Sequence, residues 1–262
     1  PPSTGPIGVF DSGYGGLTIL DKIRGLMPEY DYIYLGDSAR CPYGPRSFEV
    51  VYEFTLQAVS KLFELGCPLV ILACNTASAK ALRTIQQINL PVIDATRRVL
   101  GVIRPTAECI GEITRSRHVG ILATAGTIKS ESYLLEIHKL SPDIVVTGEA
   151  CPMWVSLVEN NEYQSEGADY FVKQHINRLL DKDPMIDTII LGCTHYPLLL
   201  DKIRQFTPGH IRIIAQGEYV ARSLQDYLNR HPEMDARCEK GGKCRFLTTE
   251  SENSSRNPLP SS

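Results

Sequence analysis

Short apolar runs alternate with longer amphipathic stretches from the start of the chain to about residue 215, and no other feature restricts the fold as much. The runs at residues 7–10, 32–35, 69–72, 119–122 and 188–191 are too short for helices and too uniformly apolar for strands with one wet face. Runs of that kind suit a parallel sheet covered on both sides. Residues 92–93, 144–147 and 211–214 complete the expected strands. Between them, residues 47–65, 77–88, 133–140, 167–180 and 198–206 carry apolar side chains at helical spacing. The order strand, helix, strand predicts an α/β fold with mostly parallel, doubly wound sheets.

At 262 residues and 43% hydrophobic, the chain is long enough for one large domain or two modest ones. The formal net charge of -3, with basic and acidic residues interspersed, lacks the footprint of a nucleic-acid binder. No apolar run approaches the ~18 residues of a membrane span. The residues before Ile7 are small and uncharged and read as neither signal nor transit peptide. The expectation is a soluble, cytoplasmic protein with no membrane or nucleic-acid partner. After Glu250 the composition turns to Ser, Asn and Pro, which predicts a disordered tail over 251–262.

Eight cysteines are present, six of them scattered singly. Cys238 and Cys244 are closer together, but two ligands without a nearby Cys or His pair fall short of a zinc site. Reduced thiols and no bound metal are expected.

The chain also carries an approximate internal repeat. Ile7-Gly-Val-Phe-Asp-Ser-Gly resembles Val119-Gly-Ile-Leu-Ala-Thr-Ala-Gly, and Val70-Ile-Leu-Ala-Cys-Asn-Thr resembles Ile189-Ile-Leu-Gly-Cys-Thr-His. The members of the two pairs lie at similar separations along the chain, as in a duplicated unit. In open α/β sheets the ligand sits outside the carboxyl ends of the strands. Two halves turned toward one cleft would bring Cys74 and Cys193 to one ligand from opposite sides.

Opposed thiols suit a particular reaction. Inverting the α-carbon of an amino acid needs one group to remove a proton from one face and another to supply one to the other face. A thiolate and a thiol can do both jobs, and a strand-to-helix turn with its free N–H groups favours the anion. His195, two residues beyond Cys193, is placed to bias a proton near neutral pH. A single cysteine closing a buried strand is more often inert packing; matched cysteines in duplicated halves argue for chemistry. The turn Asp11-Ser-Gly-Tyr-Gly-Gly reads equally as a helix cap, and its glycine spacing does not match a dinucleotide fingerprint. The loop Gly36–Pro45 offers backbone N–H groups to a carboxylate, or is only a turn.

Phe10-Asp-Ser-Gly-Tyr-Gly-Gly-Leu-Thr, Gly36-Asp, Pro42-Tyr-Gly, Ala73-Cys-Asn-Thr-Ala-Ser and Gly192-Cys-Thr-His-Tyr-Pro-Leu-Leu together resemble the signature segments of bacterial glutamate racemases. The segments occur in family order between Ile7 and about Glu250. The resemblance implies two similar α/β domains related by a pseudo-twofold, with the active site between them. The first would comprise residues 1–97 and 212–250 and the second 98–211. It also implies cofactor-independent interconversion of L- and D-glutamate, with D-glutamate supplied for peptidoglycan synthesis, and allows a homodimer. Matched position by position, Cys74 would take the proton from D-glutamate and Cys193 from L-glutamate. Asp11 and Ser12 would contact the substrate amino group, and backbone around Pro42, Tyr43 and Gly44 would hold a carboxylate. Asn75, Thr76, Thr124, Thr127 and Thr194 would bind the rest of the substrate. His195 would assist Cys193, with Glu159 behind the histidine.

Three departures from that pattern stand out. Ala215-Gln216-Gly217 replaces the usual Asp-Ser-Gly, which predicts altered domain packing without lost chemistry. An amphipathic helix after the Thr-Thr-Glu segment is missing, and the short N-terminus leads one to expect no dependence on a peptidoglycan precursor. Competing readings are an aspartate or hydantoin racemase, a binding protein on the same fold, and a thiol redox protein. The first is disfavoured by Thr194-His195-Tyr196-Pro197, the second by the intact cysteine pair, and the third by the absence of a CxxC motif.

Overall fold

The computed structural model describes residues 2–250; the tail expected to be disordered lies outside them. Two parallel sheets account for all nine strands found there. The first contains β1 (Ile7–Asp11), β2 (Tyr32–Gly36), β3 (Leu69–Leu72), β4 (Arg98–Leu100) and, last in sequence, β9 (Cys244–Thr248). The second contains β5 (His118–Ala123), β6 (Val145–Ala150), β7 (Thr188–Leu191) and β8 (Arg212–Ala215). Their spatial orders are β4-β3-β1-β2-β9 and β6-β5-β7-β8. Read from the other edge, the second sheet is β8-β7-β5-β6, which matches β4-β3-β1-β2 of the first. The faint sequence repeat is therefore a repeat of topology, with β3 and β7 as counterparts.

Both faces of each sheet are covered. Ile7 and Val9 of β1 pack with Leu20, Ile23 and Leu224, while Phe10 faces the opposite side with Val51, Val59 and Leu62. The second sheet divides in the same way, with Ile189 and Leu191 on one face and Ile190 on the other. Helices on both sides explain why the strand sequences are continuous apolar runs. Ser47 and Ser165 start the two longest helices, each side chain accepting a backbone N–H from the first turn. Among the described residues no helix is long and apolar enough to cross a membrane, and all eight cysteines are free.

Some expected elements change. Residues 92–93 are not a strand: Pro91 opens a short helix, Leu90–Ile93, on which Val92 is 85% exposed. The edge strand lies further on at Arg98–Leu100, where only Val99 is buried. Residues 212–215 were expected to return to the first half, yet β8 pairs in register with β7, so the chain crosses back after it. The helix that follows, Gly217–Arg230, places Val220, Leu224 and Leu228 in the core of the first sheet. Strand β9 was not anticipated at all. It is an edge strand paired only with β2 and mostly exposed, so it needs no apolar run.

Candidate active site

Four strands, β1, β3, β5 and β7, bring Asp11, Cys74, Thr124 and Cys193 to the site at their carboxyl ends. Cys74 follows β3 and caps the helix Asn75–Lys80, where the Ala77 N–H donates to its Sγ at 3.4 Å. Cys193 follows β7 at the equivalent place in the second sheet. Both line one small cavity, together with Ser12, the Pro42–Gly44 loop, Asn75, Thr76, Thr124, Thr194 and His195. Val155, which nothing in the sequence had singled out, completes the lining. Asp11, Thr127 and Glu159 stand one layer behind.

The halves meet closely around this cavity. Asp11 is completely buried, accepting the N–H groups of Gly13 and Gly16 at 3.0 and 3.1 Å and the Thr194 hydroxyl at 3.2 Å. Only glycine is tolerated at position 15, because a Cβ there would lie 2.5 Å from the Thr194 hydroxyl and 2.8 Å from the His195 ring. Gly44 plays the same part opposite Thr124. The Thr76 hydroxyl reaches across to Thr124 at 2.8 Å and Thr127 at 3.4 Å, so three hydroxyls close on one another. Tyr43 contributes through its backbone alone, since its hydroxyl is turned away onto Asp37.

Electrostatics differ at the two ends. Burial pushes the Cys74 thiol up to about 12, the Asp11 carboxylate adds to this, and the Ala77 N–H and Ser12 oppose it. Burial also raises the Asp11 carboxyl, against the pull of His195 and its own hydrogen bonds. His195 is 2% exposed, with Nδ1 3.9 Å from Cys193 Sγ and Nε2 hydrogen-bonded to Glu159. Burial by itself would lower the imidazole's pKa, but Cys193, Cys41 and Glu159 outweigh it and hold the ring well above the usual range.

Asn75 lines the cavity, yet its carboxamide is engaged elsewhere. Its Nδ2 donates to Gln216 at 2.7 Å, and its Oδ1 accepts from Gln216 and Tyr133. Gln216 also donates to Thr106 at 2.9 Å. This buried cluster ties the helix behind Cys74 to the second half, and it depends on the very position where the sequence departs from the family pattern. A serine is too short to span it. Gln216→Ala is expected to lower unfolding stability by roughly 1–3 kcal/mol, because buried partners are left unpaired. An unchanged denaturant midpoint would show that the cluster contributes nothing.

The cavity has a volume of about 20 Å³. That is room for about one water molecule.

Comparison with known proteins bears on the family and the fold. The profile described as Asp/Glu/Hydantoin racemase matches residues 18–224. The glutamate racemase of Roseobacter denitrificans is 40% identical over 253 residues, covering 93% of this chain and 91% of its own. That of Bacillus cereus is 40% identical over 244 residues, covering 93% and 87%. Among solved structures, glutamate racemase isoform RacE1 of Bacillus anthracis superposes with a TM-score of 0.86 at 36% identity, covering 95% of this chain and 90% of that one. The Francisella tularensis glutamate racemase in complex with D-glutamate gives 0.81 at 32% identity, covering 95% and 89%. With the profile spanning most of the chain, and the relatives matching nearly end to end, the chain belongs to the Asp/Glu/hydantoin racemase family.

Proposed function

We propose that the chain is a glutamate racemase that interconverts L- and D-glutamate without a cofactor, using Cys74 and Cys193 as opposed acid and base. The observation that carries this reading is the position of the two thiols, at the ends of counterpart strands and on one cavity. Relatives named for glutamate support the choice of substrate. The ligands are then L- and D-glutamate, with no nucleic acid or membrane partner. The product D-glutamate is made in the cytoplasm for peptidoglycan, by a chain that works as a homodimer.

In this scheme Asp11 and Ser12 hold the substrate ammonium. The backbone of the Pro42–Gly44 loop holds one carboxylate, and the hydroxyls of Thr76, Thr124, Thr127 and Thr194 hold the remainder. Cys74 removes the α-proton from D-glutamate while the Cys193 thiol protonates the opposite face, and the roles exchange for L-glutamate. His195, backed by Glu159, supplies or accepts a proton at Cys193. Chiral analysis of L-glutamate incubated with the protein in heavy water tests the reaction directly. D-glutamate carrying deuterium at the α-carbon is expected, and recovery of L-glutamate alone would refute the activity. Exhaustive dialysis or EDTA should leave the rate intact; pyridoxal absorbance in active protein would contradict the two-thiol chemistry.

Two further results are expected. Thr124→Ala removes a hydroxyl from the three-threonine contact, and a lost buried hydrogen bond costs about 1–3 kcal/mol. The measurable effect is a raised KM for glutamate, and unaltered kinetics would remove Thr124 from the site. The second concerns pH. Because burial and Asp11 hold Cys74 up near 12, its thiolate fraction grows as pH rises toward that value. The kcat/KM for D-glutamate should therefore climb between roughly pH 7 and 9. A profile that is flat or falling there would contradict Cys74 as the base for that enantiomer.

A further inference from the structure

We infer that Cys41, Glu159 and His195 form a binding site for a thiophilic divalent cation, zinc in the first place, and that filling it arrests the enzyme. The inhibitory half of this inference rests on the proposed racemase reading; the binding half does not. The three side chains come from separate segments: the loop after β2, the end of the helix Trp154–Glu159, and the turn after β7. Their donor atoms nevertheless all lie within 4.8 Å of one another. Cys41 Sγ is 3.9 Å from Glu159 Oε1, which in turn is hydrogen-bonded to His195 Nε2.

A thiolate, an imidazole and a carboxylate are the donors zinc prefers. With bonds of about 2.3 Å to sulfur and 2.0 Å to nitrogen and oxygen, a tetrahedral ion needs its donors about 3.3–3.6 Å apart. The sulfur must approach the carboxylate by a few tenths of an ångström, and the carboxylate must draw back from the ring by just under about 1 Å, exchanging its hydrogen bond for a bond to the ion. Gly13 leaves their shared side open. A Cβ built there would lie 3.0 Å from Glu159 Oε1, 3.1 Å from Cys41 Sγ and 3.5 Å from His195 Nε2. Cys41 and Glu159 are half-buried, which leaves the cluster within reach of a solvent ion.

The sulfur of Cys41 touches neither the cavity nor the two reacting thiols; its one link to the racemisation scheme is its contact with the His195 ring. On binding, the Cys41 thiol and the His195 Nε2 position each give up a proton to solvent, and the cation takes both lone pairs, with a carboxylate oxygen and a water completing the shell. The imidazole is then fixed through Nε2. It can no longer exchange a proton with Glu159 or turn toward Cys193, and the support behind that thiol is lost.

The test is racemisation by the wild-type chain and by Cys41→Ala and Cys41→Ser during titration with zinc chloride, followed by EDTA. Wild-type activity should fall with zinc and return with EDTA. Both variants should racemise glutamate but need at least roughly tenfold more zinc for half-inhibition, since losing a direct ligand costs no less than losing an outer-shell partner. Equal sensitivity in the variants would overturn the site and point to the catalytic thiols instead. A wild-type rate indifferent to zinc would overturn it as well. Cobalt(II) provides a reading independent of turnover, through its thiolate charge-transfer absorption. That band should form with the wild-type chain and with Cys74→Ala, and be absent with Cys41→Ala. A chain that binds cobalt through Cys41 without racemising glutamate upholds the site and refutes the proposed activity. A racemising chain without the band refutes the site alone.

Discussion

Cys74→Ala and Cys193→Ala should each abolish racemisation in both directions. Every turnover of a two-base reaction uses one thiol as base and the other as acid, so neither half of the exchange survives the loss of either group. A positioned general acid or base contributes about 10²–10⁴-fold, and each single variant should fall by at least that much from either enantiomer. Groups that act as a unit are strongly non-additive, so the double variant should be little worse than the singles. The competing expectation is distinct. Both cysteines are almost fully buried at strand ends (5% and 7% exposed), and a purely structural thiol would cost stability while activity per folded molecule persisted. Racemisation rates from L- and D-glutamate, with folding followed by circular dichroism, separate the two. A folded single variant running near the wild-type rate would end the two-thiol mechanism.

Asp11→Asn comes next in expected size, with a fall in kcat/KM on the order of 10²-fold, the upper range for losing a hydrogen bond to a charged group. The substitution is nearly isosteric and can keep the local structure. Its carboxamide oxygen can still accept the N–H groups of Gly13 and Gly16, and its NH₂ can donate to the Thr194 hydroxyl. What disappears is the negative charge that would hold the substrate ammonium. That same charge helps to push the Cys74 thiol up. Its removal should lower the Cys74 pKa and move the rising limb of the D-glutamate pH profile to lower pH. A merely structural Asp11 would leave that limb where it is. Stopped-time assays across pH, alongside thermal unfolding, measure both effects. Near-wild-type kinetics with an unmoved profile would take Asp11 out of the site.

Much of this was legible in the residues, for a local reason. A strand buried on both faces must be apolar throughout, so β1, β3, β5 and β7 announce themselves within a few residues. The turn after such a strand stands where ligands bind, which marked Cys74 and Cys193 before any coordinates, whereas Asp11 and Thr124 were marked by the family resemblance. Elements relieved of that demand were hidden. Strand β9 is an exposed edge with charged and polar members, and the apolar pair Val92–Ile93 turned out to lie on an exposed helical turn. The side of the chain crossing to which β8 belongs depends on its pairing with β7, and no property of its four residues reveals that partner.

The sequence by itself determined the class of fold, the duplicated strand–thiol units and the side chains available for chemistry, because each is written in neighbouring residues. Tertiary structure alone decided how those pieces meet. Thr194 reaches Asp11 across 183 positions of sequence and Asn75 reaches Gln216 across 141. Cys41, unremarkable within its loop, arrives beside Glu159 and His195. The cavity closed to about 20 Å³ is of the same kind. Local spacing governs which backbone conformation a segment prefers, whereas a site between two halves exists only once their packed faces bring distant side chains within hydrogen-bond range.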